Sequence, residues 1–133
     1  MIKLSKKIEY ALMALRHISY ADDNVVTAKE IAGEHNIPYE LLAKILQKLK
    51  KENILVSNQG IKGGYKLNVS LDKISLSKLI SVLEGENAIV ECQQLESSDE
   101  CILFDDCNMK TPMGKMQREL DKLLKSKMIS DFI

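Results

Sequence analysis

Apolar residues recur every three or four positions near the start of the chain, and this period predicts an amphipathic first helix. The apolar stripe consists of Ile8, Ala11, Leu12, Leu15 and Ile18. Ser5 precedes the stripe, and a serine in this position can accept a hydrogen bond from a free amide of the first turn. We therefore expect a helix that starts after Ser5 and buries a single face.

Two further helices are predicted, separated by a short turn. Thr27 and Glu30 have the spacing of a capping box, which predicts a short second helix that ends near His35. A third helix is predicted from about Pro38 to Asn53, with leucine and isoleucine on one side and mainly lysine on the other.

The connection between these two helices has the properties of a helix-turn-helix. Ala32 offers a small side chain where the helices would cross, and Asn36 tolerates the positive φ that such a turn requires. An ordinary helical hairpin shows a similar pattern. The pattern alone therefore leaves both DNA binding and simple packing open.

A β-hairpin is predicted next, from the strand-like "ILVS", the glycine-rich "NQGIKGG" and the alternating "YKLNV". The alternating apolar positions are Tyr65, Leu67 and Val69. A hairpin that follows a helix-turn-helix is a wing. Its glycines at 60, 63 and 64 would let the backbone approach a phosphate, and Lys62 adds a positive charge. A plain surface hairpin is the alternative.

The C-terminal part contains two more predicted helices. The stretch "SLSKLISVLEG" predicts a short helix that stops at Gly85, and "TPMGKMQRELDKLLKSKM" predicts a helix capped by Thr111 with Pro112 at its first position. The apolar positions of the latter are Met113, Met116, Leu120 and Leu123. This narrow seam is typical of a helix that packs against a partner helix, so we expect a homodimer.

The charges of the chain are sorted along its length, although the net charge is zero. Lysine and arginine outnumber aspartate and glutamate by 13 to 8 in residues 1–78, and the counts are 0 to 8 in 79–109 and 6 to 3 in 110–133. A basic N-terminal unit suits a polyanionic partner such as DNA. An ordinary solvated surface is the alternative.

Length and composition exclude several classes of protein. The chain of 133 residues with 45% apolar residues fits a single domain. It lacks an apolar run of about 18 residues and a signal-peptide pattern, so we expect a cytoplasmic protein without a membrane segment. It also lacks a dinucleotide-binding motif, a P-loop and a nucleophile–base arrangement, which argues against an enzyme such as an electron-transfer or thiol-redox protein, and we expect no small-molecule substrate.

The three cysteines of the chain, Cys92, Cys101 and Cys107, lie in one acidic segment with the spacing C-x8-C-x5-C. Thiolates are soft ligands that suit iron–sulfur clusters, zinc and copper(I), and three of them supply all but one of four ligands. Zinc sites usually contain closer cysteine pairs, and acidic neighbours disfavour a free reactive thiolate. The residues alone therefore leave a metal cluster and unligated surface thiols equally open.

Several of these stretches resemble one family over nearly the whole chain. "KLSKKIEYALMAL", "AKEIAGEHNIPYELLAKILQKLKKENIL", the wing "GGYKL", "LSKLISVLEG" and the three-cysteine loop resemble the winged-helix bacterial repressors that include IscR and NsrR. The resemblance implies a mainly α fold with a small β-hairpin wing. It implies a winged helix-turn-helix DNA-binding domain at 1–85, a cysteine-containing cluster-binding loop at 86–110, and a long dimerisation helix with a C-terminal tail at 111–133.

The same resemblance implies a function and a set of ligands. It implies a homodimeric repressor on double-stranded operator DNA, controlled by a 2Fe-2S or 4Fe-4S iron–sulfur cluster in each protomer. Cys92, Cys101 and Cys107 would bind the cluster. IscR-like members have a histidine where this chain has Lys110, whereas NsrR-like members use an acidic side chain of the partner's first helix, and the matching residue is Glu9. Further oxygen or amide candidates in the loop are Asp105, Asp106 and Asn108.

Candidate DNA contacts lie at the start of the third helix and in the wing. They are Tyr39, Glu40, Ala43, Lys44, Lys48, Gln59 and Lys62. IscR has glutamate at the position of Ala43 and arginine at that of Gln59, so its base preference is not carried over.

A regulator of the same fold without a cluster is the remaining alternative, and it would sense thiol oxidation or zinc. The resemblance leaves iron, nitric oxide, oxygen and redox state open as signals. The two histidines of the chain, His17 and His35, are expected to be surface or packing residues.

Overall fold

The computed structural model describes residues 3–22, 24–61, 63–85 and 108–133, which form five α-helices and one two-stranded antiparallel sheet. The helices are α1 Lys6–Ser19, α2 Ala28–His35, α3 Tyr39–Lys51, α4 Leu76–Glu84 and α5 Lys110–Ser126. The strands are β1 Leu55–Asn58 and β2 Gly64–Leu67, and short 3-10 helices cover Leu71–Lys73 and Ile129–Phe132. The predicted mainly α fold with a hairpin wing is confirmed. None of these helices has both the length and the apolar character needed to cross a bilayer.

Helix α1 lies at the centre of the core. Its N-terminus is capped as predicted, because the Ser5 hydroxyl accepts a hydrogen bond from the Ile8 amide at 3.5 Å. The buried side chains of its stripe, each at most 1% exposed, are Ile8, Ala11, Leu15 and Ile18. Helix α1 packs against α2, α3, α4, β2 and the C-terminal 3-10 helix, so it connects most elements of the fold directly.

Helices α2 and α3 form the predicted helix-turn-helix. The Thr27 hydroxyl accepts a hydrogen bond from the Glu30 amide at 3.1 Å and caps α2. The turn contains Asn36 with φ 54° and ψ 41°, and the Ile37 amide donates to the Ala32 carbonyl at 3.0 Å. Asparagine tolerates this left-handed backbone better than most residues with a side chain, so the turn is fixed locally.

The wing is a hairpin in which Leu55 pairs with Leu67 and Asn58 pairs with Gly64. Its second strand also bonds to the segment before α2, since the Tyr65 amide donates to the Val26 carbonyl at 2.7 Å. Gly64 has a φ of 151°, and a Cβ there would lie 2.7 Å from the Val26 carbonyl oxygen. This glycine therefore allows the wing to pack closely against the rest of the domain.

The second strand is shorter than its apolar alternation predicts. It ends at Leu67, and Val69 is 37% exposed. In the observed register, the position opposite Val69 is Asn53, whose left-handed backbone (φ 61°) belongs to the turn after α3. The prediction that Val69 continues the strand is wrong because the partner chain has already turned away.

The last helix begins earlier than the sequence pattern predicts. The backbone of Met109 is already helical, with φ −94° and ψ −9°, and the Met113 amide donates to its carbonyl at 2.9 Å. Thr111 therefore lies inside α5, and its prediction as the cap is wrong. For the same reason Pro112 is the third residue of α5 and not the first, so that prediction is also wrong; its missing N–H still leaves no helical hydrogen bond unmade, because it lies in the first turn.

The chain after α5 returns to the start of α4. The Leu76 amide donates to the Lys127 carbonyl at 2.7 Å, and the Ile129 amide donates to the Ile74 carbonyl at 2.9 Å. Ile129 is fully buried in the core. Helix α5, which also packs against α4, is therefore anchored at its C-terminal end.

Removing the Ile129 side chain tests this anchor. We expect Ile129→Ala to lower the free energy of unfolding by about 2–5 kcal/mol, because the substitution leaves a cavity in the core. Urea unfolding followed by circular dichroism measures the change. The matched control is Ile133→Ala, whose side chain is 38% exposed and should matter much less. Equal effects of the two substitutions would contradict the anchor.

Candidate nucleic-acid interface and sensing residues

The outward face of α3 carries most of the predicted DNA contacts. On this face lie Tyr39, Glu40, Ala43, Lys44 and Lys48. All are exposed except Ala43, which is half-buried. The opposite face of α3 is fixed in the core, since Leu42, Leu46 and Leu49 are fully buried. A helix of 13 residues is about 20 Å long, so α3 presents a rigid surface of a size that a major groove admits.

One residue of the wing, Tyr65, lies near the beginning of α3. Burial raises the pKa of the Tyr65 phenol, and the neighbouring Tyr39 phenol adds a smaller effect in the same direction. Gln59 is exposed in the connection between the strands, whereas Lys62 lies outside the described residues. The Tyr65 and Tyr39 side chains are therefore close enough to interact electrostatically, which places β2 near the first turn of α3.

The wing glycines differ in their surroundings. A Cβ at Gly63 would lie 2.6 Å from the Asn58 carbonyl oxygen, so this glycine serves the tight turn of the hairpin. A Cβ at Gly60 would meet nothing within 4 Å. Of the two, only Gly60 has the open space expected of a backbone position that approaches a groove.

Glu9 lies in the first turn of α1 on its solvent side. Its carboxylate accepts a hydrogen bond from the Lys6 ammonium at 2.9 Å, and the two side chains are 46% and 74% exposed. This hydrogen bond is the main reason why the pKa of Lys6 is raised. Such exposed pairs contribute little to stability. The Glu9 carboxylate is therefore accessible, and little holds it to Lys6.

Cys92, Cys101 and Cys107 lie outside the described residues. They belong to the connection between Gly85, which ends α4, and Asn108, which precedes α5. The donor set fits an iron–sulfur cluster chemically, because three soft thiolates match iron and leave one coordination position for another ligand.

Helix α5 has two different faces. On the inner face, Gln117 is only 8% exposed, its side-chain amide donates to Asp121 at 2.8 Å, and Leu124 packs against the core. On the outer face, Met116 is 42% and Leu123 is 52% exposed. Two of the four predicted seam positions are thus accessible in the protomer, and the other two, Met113 and Leu120, are half-buried.

A grouping of His17, Glu34 and His35 was not predicted from the sequence. His17 Nδ1 lies 3.0 Å from His35 Nε2, and Glu34 Oε2 lies 3.6 Å from His17 Nδ1. His17 lies in the last turn of α1, and Glu34 and His35 are the last two residues of α2. The sequence places these side chains near two helix ends, but only the packing of α1 on α2 reveals that they meet.

Comparison with known proteins agrees with this fold. The family model described as "Rrf2: Iron-dependent Transcriptional regulator" matches residues 4–133. The chain is similar to the HTH-type transcriptional regulator NsrR of Oceanobacillus iheyensis, with 29% identity over 133 residues that cover 99% of this chain and 90% of the relative.

Two solved structures share the fold. CymR of B. subtilis, described as its global cysteine regulator, has a TM-score of 0.74 and 23% identity, with 98% of this chain and 95% of that chain covered. IscR of T. potens has a TM-score of 0.74 and 24% identity, with 98% and 85% covered. Because the family match spans nearly the whole sequence, the chain belongs to the Rrf2 family and is a DNA-binding transcriptional regulator, not an enzyme.

Proposed function

We propose that the protein is a homodimeric repressor whose affinity for double-stranded operator DNA is controlled by an iron–sulfur cluster in each protomer. The observation that carries this proposal is the grouping of Cys92, Cys101 and Cys107 between α4 and α5. The description of its family as iron-dependent supports the same reading. When bound, the cluster supplies a redox-active centre with exchangeable iron coordination.

The proposed ligands come from both protomers. Cys92, Cys101 and Cys107 hold the cluster, and Glu9 of the partner protomer supplies the fourth ligand. The support for Glu9 is its exposed carboxylate at the N-terminus of α1, held only by a solvent-exposed ion pair with Lys6 among the contacts described. A hard carboxylate oxygen binds iron less firmly than a thiolate does, so this ligand is the one that a signal would displace most easily.

A change at Glu9 has a direct route to the DNA-binding surface. Glu9 is adjacent to Ile8, the first buried residue of α1, and α1 packs against both α3 and β2. Buried faces of this kind move as rigid bodies because a close-packed core does not deform gradually. Any displacement of the first turn of α1 is therefore passed to the recognition helix and the wing together.

The proposed DNA contacts are Tyr39, Glu40, Ala43, Lys44, Lys48, Gln59 and Lys62. The support for the α3 residues is their position on the outward side of a helix whose inner side is buried. Lysine side chains at the edges of such a surface can bind phosphates, and residues in the first turn of the helix can contact base edges.

Substitution of Lys44 tests the DNA surface. We expect Lys44→Ala to weaken operator binding by about 1 kcal/mol or more and to reduce its salt dependence, because one phosphate contact is lost. Fluorescence anisotropy at several salt concentrations, with a duplex selected by the wild-type protein, measures both quantities. Lys73→Ala, an exposed lysine beyond the wing, is the control. Unchanged affinity of the double variant Lys44→Ala, Lys62→Ala would contradict the interface.

Dimerisation through α5 is tested at Leu123. Because this side chain is 52% exposed in the protomer, Leu123→Asp should leave the fold intact and lower the dimer fraction. Sedimentation velocity across a range of protein concentrations reports the change. Lys122→Asp, on the neighbouring polar side of the same helix, should leave the dimer unchanged. A wild-type protein that sediments as a monomer would refute the proposal.

Glu9→Gln tests the fourth ligand, with Cys101→Ala as the reference for a lost thiolate. We expect Glu9→Gln to change the cluster's absorption spectrum and shorten its lifetime in air, because a neutral amide is a poorer iron ligand than a carboxylate. The control is Glu30→Gln, an exposed acid in the first turn of α2. If Glu9→Gln behaves like this control, the fourth ligand lies elsewhere, and Asp105, Asp106 and Asn108 are tested next.

A further inference from the structure

We propose that His17, Glu34 and His35 form a second metal site, which binds a divalent transition-metal ion, Zn²⁺ above all, at the junction of α1 and α2. The potential ligand atoms of the three side chains all lie within 4.8 Å of one another. The site shares no residue with the proposed cluster. Two imidazoles and a carboxylate form a donor set that zinc accepts well.

The distances are close to those that zinc requires. Zinc–nitrogen bonds of about 2.0–2.1 Å place two ligands of a tetrahedral ion about 3.3 Å apart. His17 Nδ1 and His35 Nε2 are 3.0 Å apart, and Glu34 Oε2 is 3.6 Å from His17 Nδ1. The two distances from His17 therefore differ from the ideal separation by a few tenths of an ångström, and the third pair, His35 and Glu34, lies within 4.8 Å, which side-chain rotation can shorten.

In the contact between the two histidines, the nitrogen that accepts the hydrogen bond already has the lone pair that a metal ion needs. Their rings are nearly perpendicular, at 84°, and in a hydrogen bond between two ring nitrogens one must donate while the other accepts. Metal binding needs a lone pair on both. The ring that donates in this hydrogen bond can move its proton to its other ring nitrogen, which is a change of tautomer. Both facing nitrogens then have a lone pair, and the metal ion occupies the position between them.

An open cavity adjoins the three ligands and leaves room for a further one. Its volume is about 520 Å³, and its other lining residues include Met13, Arg16 and Tyr20. Water can therefore occupy a fourth coordination position, as in three-ligand zinc sites with an open face. The Arg16 guanidinium lies 5.7 Å from the Tyr20 ring centroid, within the range of a cation–π contact.

The position of the site gives metal binding a structural effect. His35 is the last residue of α2 and directly precedes the turn at Asn36 that leads into α3. An ion shared by His17 and His35 would tie the end of α1 to this turn and restrain the helix-turn-helix. Any effect on operator binding rests on the proposed role of α3, whereas the metal site itself does not.

The two histidines make the test specific, since the chain contains no others. Cluster-free full-length protein is titrated with Zn²⁺ in excess of its cysteines, and the imidazole nitrogens are followed in long-range ¹H–¹⁵N NMR spectra. These signals report only on the two rings, so zinc held by the cysteines does not interfere. We expect both rings to shift together to saturation, with one ring changing its tautomer.

The Glu34→Gln variant tests whether the carboxylate is a zinc ligand. The Glu34 side chain is 66% exposed, so its substitution should not disturb the core. It should raise the zinc concentration at half-saturation about tenfold or more, whereas the control Glu30→Gln should leave it unchanged. Imidazole signals that do not respond to zinc would overturn the proposal. So would equal midpoints for the two variants, or a response to inorganic phosphate in place of zinc, which would indicate an anion site.

Discussion

The burial of one face of α1 is the constraint on which the rest of the structure depends. Ile8, Leu15 and Ile18 are at most 1% exposed, and complete burial of such a side chain contributes about 1.5–3 kcal/mol. Helix α1 also contacts α2, α3, α4 and β2, so a shift of α1 would disturb the packing of α3 and the wing. Glu9 in its first turn and His17 in its last turn therefore lie on the helix that supports the proposed DNA-binding surface.

This arrangement separates the tasks of the chain. The buried residues of α1 to α4 are all apolar, while lysines of α3, the Glu9 carboxylate and the outer side of α5 face solvent. The net charge is zero because the basic N-terminal and C-terminal parts cancel the charge of an acidic segment that contains all three cysteines. In the proposed account, the basic part meets DNA, the acidic thiol segment binds the metal, and α5 joins two protomers.

Features that depend on neighbours in sequence were predictable, and features that depend on distant packing were not. The turn at Asn36 follows from a local backbone preference and was predicted correctly. The strand ending at Val69 was predicted wrongly, because its length depends on where the partner strand turns. The cap at Thr111 failed because the backbone is already helical at Met109. The contact between His17 and His35 joins residues 18 positions apart, so only the crossing of two helices reveals it.

The most direct test of the account is the operator affinity of anaerobically purified protein, measured at one salt concentration before and after the cluster is removed. We predict that the purified protein contains iron and acid-labile sulfide, and that removal changes the affinity by about tenfold or more, as expected for coupled binding sites. Equal affinities would contradict the account, as would a colourless protein that contains zinc and no sulfide.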